Sequence, residues 1–245
     1  MIIIPAIDLH QGQVVRLKKG RFDEVTTYST NPAEIARSFQ DDGARRIHVV
    51  DLDGSVAGRG MNIQAIAAIC SCVDIEVELG GGIRSVEDAR RAIDLGVSHV
   101  ILGTVVARDP GTAEAILKTF PGRVGIGIDA LEGSVAVQGW KELTGQTALE
   151  LALYYERFDP AFIVYTDISR DGMLAGPNIE ATVSLAHEVK SPVVASGGVS
   201  GMDDIKALLD AGRLFGVIVG KAIYEGRVNL REAVRLSLES IPSQG

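Results

Sequence analysis

The chain is poor in cysteine and proline and has no long run of apolar residues. Its 245 residues include only two cysteines and 8 prolines. Cys70 and Cys72 lie two residues apart, a spacing that keeps them off a common helix face, and no histidine is near them in sequence. We therefore expect buried, reduced thiols, and neither a disulfide framework nor a metal site. No cofactor is expected.

An excess of positive charge is also missing, because the net charge is −8. This argues against a nucleic-acid partner, whose binding face is normally basic. No apolar segment approaches the roughly 18 to 20 residues that span a bilayer. The apolar opening, Met1 to Pro5, follows no basic region of the kind that begins a signal peptide. These absences predict a soluble, cytoplasmic protein without a membrane partner.

What the chain does contain is an alternation of short β-branched runs with longer helical patterns, which is typical of parallel βα units. Eight such runs predict an α/β fold, a (β/α)8 TIM barrel, in a single domain covering 1–245. The same alternation would also suit an open, doubly wound sheet. The predicted strands are 2–7, 46–51, 75–79, 99–102, 124–128, 162–166, 193–196 and 216–219.

Between these runs, apolar residues at three-to-four spacing predict helices at 32–42, 86–95, 148–157, 179–189 and 202–211. Capping residues precede three of the helices and glycines follow three of them. The expected caps are Asn31, Ser85 and Asn178, and the expected terminal glycines are Gly43, Gly96 and Gly212.

The chain also repeats itself. Gly81-Gly82 returns as Gly197-Gly198, and the segment 51–62 returns as 167–178; both pairs share an offset of 116 residues (197−81 and 167−51). The repeat favours a barrel made of two similar half-barrels, approximately 1–120 and 121–240, over an open sheet. Two similar halves should build two similar sites facing each other, which predicts a substrate with two like ends.

The glycines of the repeat are candidate phosphate sites. Gly81-Gly82 and Gly197-Gly198 follow predicted strands three and seven, while Gly103-Thr104 and Gly220-Lys221 follow strands four and eight. Barrels commonly bind phosphate at such positions through glycine amides and helix N-termini. Arg84, beside the first glycine turn, could add a charge-assisted contact. An isolated glycine pair usually marks only a tight turn, but two matched pairs predict a bisphosphate ligand.

Two aspartates, Asp8 and Asp129, end the equivalent first and fifth strands on opposite sides of the predicted barrel. A carboxyl pair in a partly desolvated pocket suits proton transfer, one group acting as base and the other as acid. Asp8 is the expected base. An Asp after a strand can instead cap the next loop, and this structural role is expected for Asp51 and Asp53.

Further candidates are less specific. Thr166 and Asp171, on strand six and its loop, could orient the substrate or share the acid role. His48 is a binding candidate, although a structural histidine is the commoner case. Trp140, the only tryptophan, could stack on a planar ring or simply pack its loop. Arg16, in the loop after strand one, is a further binding candidate.

Several motifs together resemble the phosphoribosylformimino-aminoimidazole carboxamide ribotide (ProFAR) isomerase family of histidine biosynthesis. The likeness extends from the first predicted strand to the eighth, and the motifs are jointly specific. They are IPAIDL at 4–9, HVVDLDG at 48–54, ELGGGIR at 78–84, TDISRDG at 166–172 and ASGGV at 195–199.

The resemblance implies an Amadori rearrangement, in which an N-linked aminoaldose carrying a phosphate at each end becomes an aminoketose. It implies that Asp8 removes the C2′ proton and that Asp129 protonates the ribose ring oxygen, with help from Thr166 and Asp171. It further implies that Trp140 stacks on the aminoimidazole and that the two glycine turns hold the phosphates. No obligate protein partner is implied.

Three alternatives stay open. The cyclase subunit of imidazole glycerol phosphate synthase shares the barrel and repeat, but its first strand resembles CLDV and its sixth-strand motif resembles TSIDRDG. A bifunctional relative also isomerises phosphoribosyl anthranilate and has an RGRGW segment, where this chain has Val137-Gln138-Gly139-Trp140. A non-catalytic sugar-phosphate sensor would not need two acids in an anion pocket. We therefore expect the isomerase, with little anthranilate activity.

Overall fold

The computed structural model describes residues 1–18, 21–137, 139–140 and 142–239. The expected boundaries at 240 and 245, and Gln138 and Lys141 beside Trp140, lie outside the described residues. The strands in the described part are β1 (Ile2–His10), β2 (Gln13–Lys18), β3 (Arg21–Ser29), β4 (Arg46–Asp51), β5 (Glu76–Gly80), β6 (His99–Leu102), β7 (Val124–Leu131), β8 (Ser134–Val137), β9 (Glu142–Thr147), β10 (Phe162–Asp167), β11 (Val193–Ser196) and β12 (Gly216–Val219).

Eight of these strands form a closed parallel barrel in the order β1, β4, β5, β6, β7, β10, β11, β12. Closure is complete because β12 pairs with β1, where Ile2 lies opposite Gly216, and β7 pairs with β10, where Ile126 lies opposite Ile163. The (β/α)8 TIM barrel is therefore confirmed, and the open sheet is wrong.

The eight predicted strands coincide with the barrel strands to within a few residues. The sequence did not predict the two antiparallel hairpins that extend the sheet: β2 and β3 follow β1, and β8 and β9 follow β7. Their strands carry many polar residues and are only partly covered, so the apolar pattern that reveals a barrel strand is weak there.

Helices connect the strands. They are α1 (Pro32–Asp41), α2 (Leu52–Ala57), α3 (Ile63–Cys72), α4 (Val86–Asp94), α5 (Thr104–Arg108), α6 (Pro110–Thr119), α7 (Ala148–Glu156), α8 (Ile179–Glu188), α9 (Met202–Ala211), α10 (Lys221–Tyr224) and α11 (Leu230–Glu239). The longer ones cover the outside of the barrel, and the short α2, α5 and α10 lie at its mouth. No helix in the described ranges has the length and apolar character needed to cross a membrane.

The capping predictions are confirmed. The side chains of Asn31, Ser85 and Asn178 accept hydrogen bonds from the backbone three residues on, at the starts of α1, α4 and α8. Gly43 and Gly96 follow their helices with φ of 93° and 99°, in the left-handed region that favours glycine.

The core has two parts. A large cluster fills the layer between barrel and helices, and a smaller one fills the barrel interior. Side chains alternate along each strand, so one set faces the helices and the other faces the barrel axis. The smaller cluster consists of Ile4, Ala6, Ile101, Phe162, Val164, Val194 and Ile218.

The sequence repeat has a counterpart in space. Asn62 Nδ2 donates to Asp51 Oδ1 over 2.7 Å, and Asn178 Nδ2 donates to Asp167 Oδ2 over 2.7 Å. The two hydrogen bonds are 116 residues apart (178−62 and 167−51). The loop after β4 and the loop after β10 are therefore held by the same contact.

Candidate active site

A cavity of about 1340 Å³ opens at the C-terminal ends of the barrel strands. All eight barrel strands contribute side chains or backbone to it, among them Asp8 on β1, His48 on β4 and Ser196 on β11. This is the face where TIM barrels carry their active sites.

Every candidate residue from the sequence lies around this one cavity, although the position alone does not assign a role to any of them. The sixteen candidates that line it are Asp8, Arg16, His48, Gly81, Gly82, Arg84, Gly103, Thr104, Asp129, Trp140, Thr166, Asp171, Gly197, Gly198, Gly220 and Lys221.

Asp8 forms an ion pair with Arg16. The Arg16 Nη1 atom donates to Asp8 Oδ2 over 2.6 Å, because β2 folds back on β1 and places Arg16 beside the strand end. Burial lowers the pKa of Arg16, but the charges of Asp8 and Asp171 outweigh it and raise the pKa above its ordinary value. Arg16 Nε is buried and has no hydrogen-bond partner among the described residues. Arg16 thus holds a positive charge beside the expected base.

The guanidinium of Arg16 also explains a glycine. A Cβ atom on Gly220 would lie 1.3 Å from Arg16 Nη2, so a larger residue at 220 would displace the arginine. Arg16 therefore bridges the expected base on β1 and the candidate phosphate position after β12.

Asp129 accepts a hydrogen bond from the tryptophan. Trp140 Nε1 donates to Asp129 Oδ2 over 2.9 Å. Burial raises the pKa of Asp129 above its ordinary value, and hydrogen bonds from Trp140 and Thr166 oppose only part of the rise. A carboxyl group with a raised pKa is suited to donate a proton. The sequence suggested ring stacking or loop packing for Trp140; the hydrogen bond to Asp129 was not foreseen, and stacking stays a prediction.

Asp171, which lines the cavity with Asp8 and Asp129, has a perturbed pKa. Its pKa is raised to about 6, first by burial and then by the negative charges of Asp8 and Asp129, while Arg16 and His48 oppose the rise. Three carboxyl groups therefore share one desolvated space, and Asp171 exchanges its proton near neutral pH. Groups of this kind are typical of sites for acid and base catalysis.

The two glycine turns are built alike. Gly81 and Gly197 have φ of 95° and 90°, and their added Cβ atoms would lie 2.3 Å from Asp51 O and 3.0 Å from Asp167 O. The left-handed backbone and the close approach of the neighbouring loop both require glycine here. Packing alone thus accounts for these residues, and the phosphate role stays a prediction.

The second pair of candidate phosphate positions begins short helices. Gly103 precedes α5 and Gly220 precedes α10, and neither helix has a side-chain cap. Lys221 Nζ donates to the carbonyl of Gly172 over 3.2 Å and lies 3.6 Å from Glu225 Oε1. Arg84 lies at the exposed rim, where its Nη2 donates to the carbonyl of Ser55 over 3.0 Å.

Comparison with known proteins identifies the family to which the chain belongs. Residues 2–229 match the family model described as histidine biosynthesis protein. The chain belongs to this histidine biosynthesis family.

Three relatives carry the name 1-(5-phosphoribosyl)-5-((5-phosphoribosylamino)methylideneamino)imidazole-4-carboxamide isomerase. The relative from Geotalea uraniireducens is 50% identical over 239 residues, covering 97% of this chain and 98% of its own. The relative from Magnetococcus marinus is 50% identical over 244 residues, covering 97% and 98%. The relative from Rhodospirillum rubrum is 50% identical over 236 residues, covering 96% and 98%. The similarity to the histidine biosynthesis family thus extends over nearly the whole chain.

In this member of the histidine biosynthesis family, Asp51 and Asp53 have the structural role expected of them. Asp51 is fully buried and accepts hydrogen bonds from the amides of Gly54, Met61 and Asn62. Asp53 accepts a hydrogen bond from Asn62 Nδ2 over 2.9 Å. These contacts hold the loop after β4 in place.

Sequence reasoning missed two residues of this histidine biosynthesis protein, one lining the cavity and one buried beneath it. His10 lines the cavity, and its Nδ1 lies 2.6 Å from Asp53 Oδ1. The signal was available, because His10 is two residues beyond Asp8 on the same strand and so faces the same side. Glu78, fully buried, contacts His48; it stands out only as a charge within an apolar strand. No group of three or more metal-ligating side chains occurs in the part of the chain that the structure describes.

Proposed function

We propose that this protein is a ProFAR isomerase of histidine biosynthesis, converting its aminoaldose substrate to the phosphoribulosyl ketose isomer. The observation that carries the proposal is the placement of Asp8 and Asp129 at opposite barrel strands, facing one cavity with a glycine turn of the same build in each half. The names of relatives about 50% identical over nearly the full chain support the same activity.

The reaction is an internal redistribution of hydrogen. Protonation of the ribose ring oxygen breaks its bond to C1′ and leaves a protonated imine between C1′ and the nitrogen. Removal of the C2′ proton then gives a neutral enolamine. Addition of a proton at C1′, with loss of the proton of the C2′ hydroxyl, gives the aminoketose. C2′ is oxidised and C1′ reduced within one molecule, so the balance requires an acid and a base and no outside oxidant.

Asp129 is the acid that opens the ring in this proposal. Its raised pKa, caused mainly by burial, favours the protonated form that this step needs. Thr166, buried on β10 beside Asp129, orients the ring oxygen or the acid. Trp140 holds the Asp129 carboxyl through its indole N–H and offers its face to the aminoimidazole.

Asp8 is the base that removes the C2′ proton. Its ion pair with Arg16 holds the carboxyl group in place at the end of β1. Asp171, whose pKa is raised to about 6, is available to return a proton near neutral pH. Asp129 and Asp8 therefore act as acid and base because their surroundings differ, as is common for pairs of carboxyl groups in one pocket.

The two phosphates bind at the two glycine turns. Gly81 and Gly82 with Gly103 and Thr104 hold one phosphate, and the equivalent turn in the second half holds the other, in a cavity of about 1340 Å³. Arg84, Lys221 and Arg16 add positive charge. His48 contacts the substrate at the cavity floor.

The wider predictions from the sequence belong to the same proposal. The chain folds as one domain of two half-barrels, acts in the cytoplasm and requires neither an obligate protein partner nor a cofactor. Its partner is the bisphosphate substrate, not a nucleic acid or a membrane.

Turnover of purified protein with ProFAR, in the absence of glutaminase and ammonia, tests the proposal. We expect formation of the ketose. Failure of well-folded protein to form it would contradict the proposal, and consumption of the ketose with ammonia would then identify a cyclase.

Asp8→Asn should lower kcat by about 10²-fold or more, the usual contribution of a general base. Asp42→Asn, at an exposed acid paired with Arg231 on the outer surface, is the control and should leave kcat unchanged. An Asp8→Asn protein with the turnover of wild type would remove Asp8 from the mechanism.

A further inference from the structure

Charged and polar side chains are buried inside the barrel beneath the cavity. Arg46 Nη1 lies 3.3 Å from Glu78 Oε2, and Glu78 Oε1 lies 2.7 Å from His48 Nδ1. Glu78 is fully buried and Arg46 is 6% exposed. These three residues, Arg46, Glu78 and His48, are called the Arg-Glu-His chain below. It runs from the lower end of β4 to the cavity floor.

The other half of the barrel has no such chain. Adding the repeat offset of 116 leads from Arg46 to Phe162 and from His48 to Val164 (46+116 and 48+116). Glu78 corresponds to Val194 in the same way (78+116). The strand registers agree, because His48 lies opposite Glu78 in the first half and Val164 lies opposite Val194 in the second.

All three counterparts are apolar and buried in the inner cluster of the barrel. Arg46 and its counterpart Phe162 are even in contact inside the barrel, since the Arg46 guanidinium lies 4.9 Å from the centre of the Phe162 ring. The barrel thus accepts apolar residues at the equivalent positions of its second half. Burial of charged groups is costly and a well-packed apolar set is often at least as stable, so folding alone does not explain the Arg-Glu-His chain.

Its upper end reaches the reacting groups. His48 lines the cavity together with Asp8 and Asp129. A carboxylate can only accept hydrogen bonds, so His48 Nδ1 donates to Glu78. The only ring nitrogen left for the cavity is Nε2.

We propose that Glu78, itself held by Arg46, is a positioning residue that keeps a proton on His48 Nδ1 and turns Nε2 toward the substrate's ribose between Asp8 and Asp129. The proposal rests on the proposed isomerase function for the identity of the substrate. Glu78 does not touch the substrate, and its effect passes through the imidazole of His48. A carboxylate that fixes a histidine in this way is known to matter for turnover in the serine-protease triad, where an Asp→Asn change keeps the geometry but costs about 10⁴-fold.

Glu78→Gln separates this role from packing, because the two side chains have nearly the same shape. The Arg46 guanidinium has only donors, so the amide oxygen of the glutamine turns toward Arg46. Its NH₂ group then faces His48 Nδ1 and forces that nitrogen to accept. The proton moves to Nε2, so the nitrogen of His48 that faces the cavity is protonated in this variant, unlike in wild type.

Nitrogen-15 NMR of the imidazole reports this change without any substrate. The His48 signals can be assigned by comparison with a His48→Gln protein. In the wild type we expect a protonated Nδ1; in Glu78→Gln we expect an unprotonated Nδ1 and a protonated Nε2. Glu76→Gln is the matched control. Glu76 Oε2 lies 2.6 Å from Arg46 Nη2, yet the side chain is half exposed, and it is Glu78 that pairs with His48. This control should leave the His48 spectrum as in wild type.

Kinetics completes the test. Glu78→Gln should lower kcat with ProFAR by tenfold or more and change KM less than twofold, whereas Glu76→Gln should change neither beyond twofold. A Glu78→Gln protein with wild-type imidazole signals, or with wild-type kcat, would overturn the proposal. Loss of the folded state in Glu78→Gln would also overturn it, because the carboxylate would then be structural.

The two proposals fail differently. If wild-type protein does not convert ProFAR, the isomerase function fails, yet the NMR comparison still decides whether Glu78 sets the tautomer of His48. If the wild type converts ProFAR and Glu78→Gln keeps both spectrum and rate, only the positioning role fails.

Discussion

Replacing Asp171 by asparagine should make the protein more stable at neutral pH while slowing its reaction. The pKa of Asp171 is raised to about 6, mainly by burial and by the charges of Asp8 and Asp129. An unfolded chain titrates this carboxyl near 3.8. The charged form is therefore disfavoured in the folded state, and stability is lost as the pH rises from the unfolded pKa to the folded one.

The size of the effect follows from the shift. About two pKa units, at about 1.4 kcal/mol each, give a penalty of about 3 kcal/mol above pH 7 as an upper value. The penalty falls to roughly 1 kcal/mol at pH 4.5, where the folded carboxyl is already protonated. A chain of this size gains roughly 2 to 4 °C in Tm per kcal/mol, so Asp171→Asn should melt up to about 10 °C higher than wild type at pH 8.

Thermal unfolding followed by circular dichroism at pH 8, 6 and 4.5 measures this. Asp167→Asn, four residues earlier, is the control with the opposite sign. Hydrogen bonds from Ser169 and Asn178 outweigh burial and lower the pKa of Asp167, so this carboxylate adds stability above its unfolded pKa and loses it as the pH falls through the folded pKa. Asp167→Asn should therefore melt lower than wild type at all three pH values, because each of them lies above the unfolded pKa of 3.8. The reasoning is refuted if Asp171→Asn melts below wild type at pH 8, or if its difference is the same at all three pH values.

Three further predictions concern the cavity and its loops. Trp140→Phe removes the N–H that stabilises the charged form of Asp129, so the pKa of Asp129 should rise further and the alkaline limb of the kcat profile should move to higher pH; an unmoved limb contradicts the acid role. Gly198→Ala, with φ of 90° and a Cβ 2.4 Å from Gly176 O, should lower the free energy of unfolding by roughly 3 kcal/mol in denaturant titrations. Gly133→Ala, with φ of 81° and open space, should cost only about 1 kcal/mol, and equal losses would rule out the contact as the cause. With phosphoribosyl anthranilate in place of ProFAR, kcat/KM should be lower by at least about 10²-fold, a discrimination of the size that contacts within one pocket provide; comparable turnover of the two substrates would reject the expected specificity.

The sequence predicted the barrel well because a barrel strand is buried on both sides and therefore reads as an apolar run with turns on either side. The hairpins β2 and β3, and β8 and β9, escaped prediction because their strands are mixed in polarity and several of them are partly exposed. Yet the first hairpin supplies Arg16, and Trp140 lies between the strands of the second. The alternation of apolar and polar residues was therefore least informative in the segments that reach over the cavity.

The candidate site was predictable in its members but not in its contacts. The repeat located the glycine turns and Asp8 with Asp129, since equivalent strands must end on the same face. Pairings such as Arg16 with Asp8 and Trp140 with Asp129 depend on how the loops fold back, and spacing along the chain does not encode that. The Arg-Glu-His chain could not be foreseen either, because its members are brought together only by the register of β4 and β5.

The central claim is that two aspartates move hydrogen within a bisphosphate aminoaldose, and conversion of ProFAR labelled with deuterium at C2′ tests it most directly. Incubation with the purified protein alone, followed by NMR or mass spectrometry of the product, reports the position of the label. The account predicts a ketose that has lost deuterium from C2′, formed more slowly than from unlabelled substrate. Unchanged substrate, or product that arises with the C2′ deuterium still in place, would contradict it.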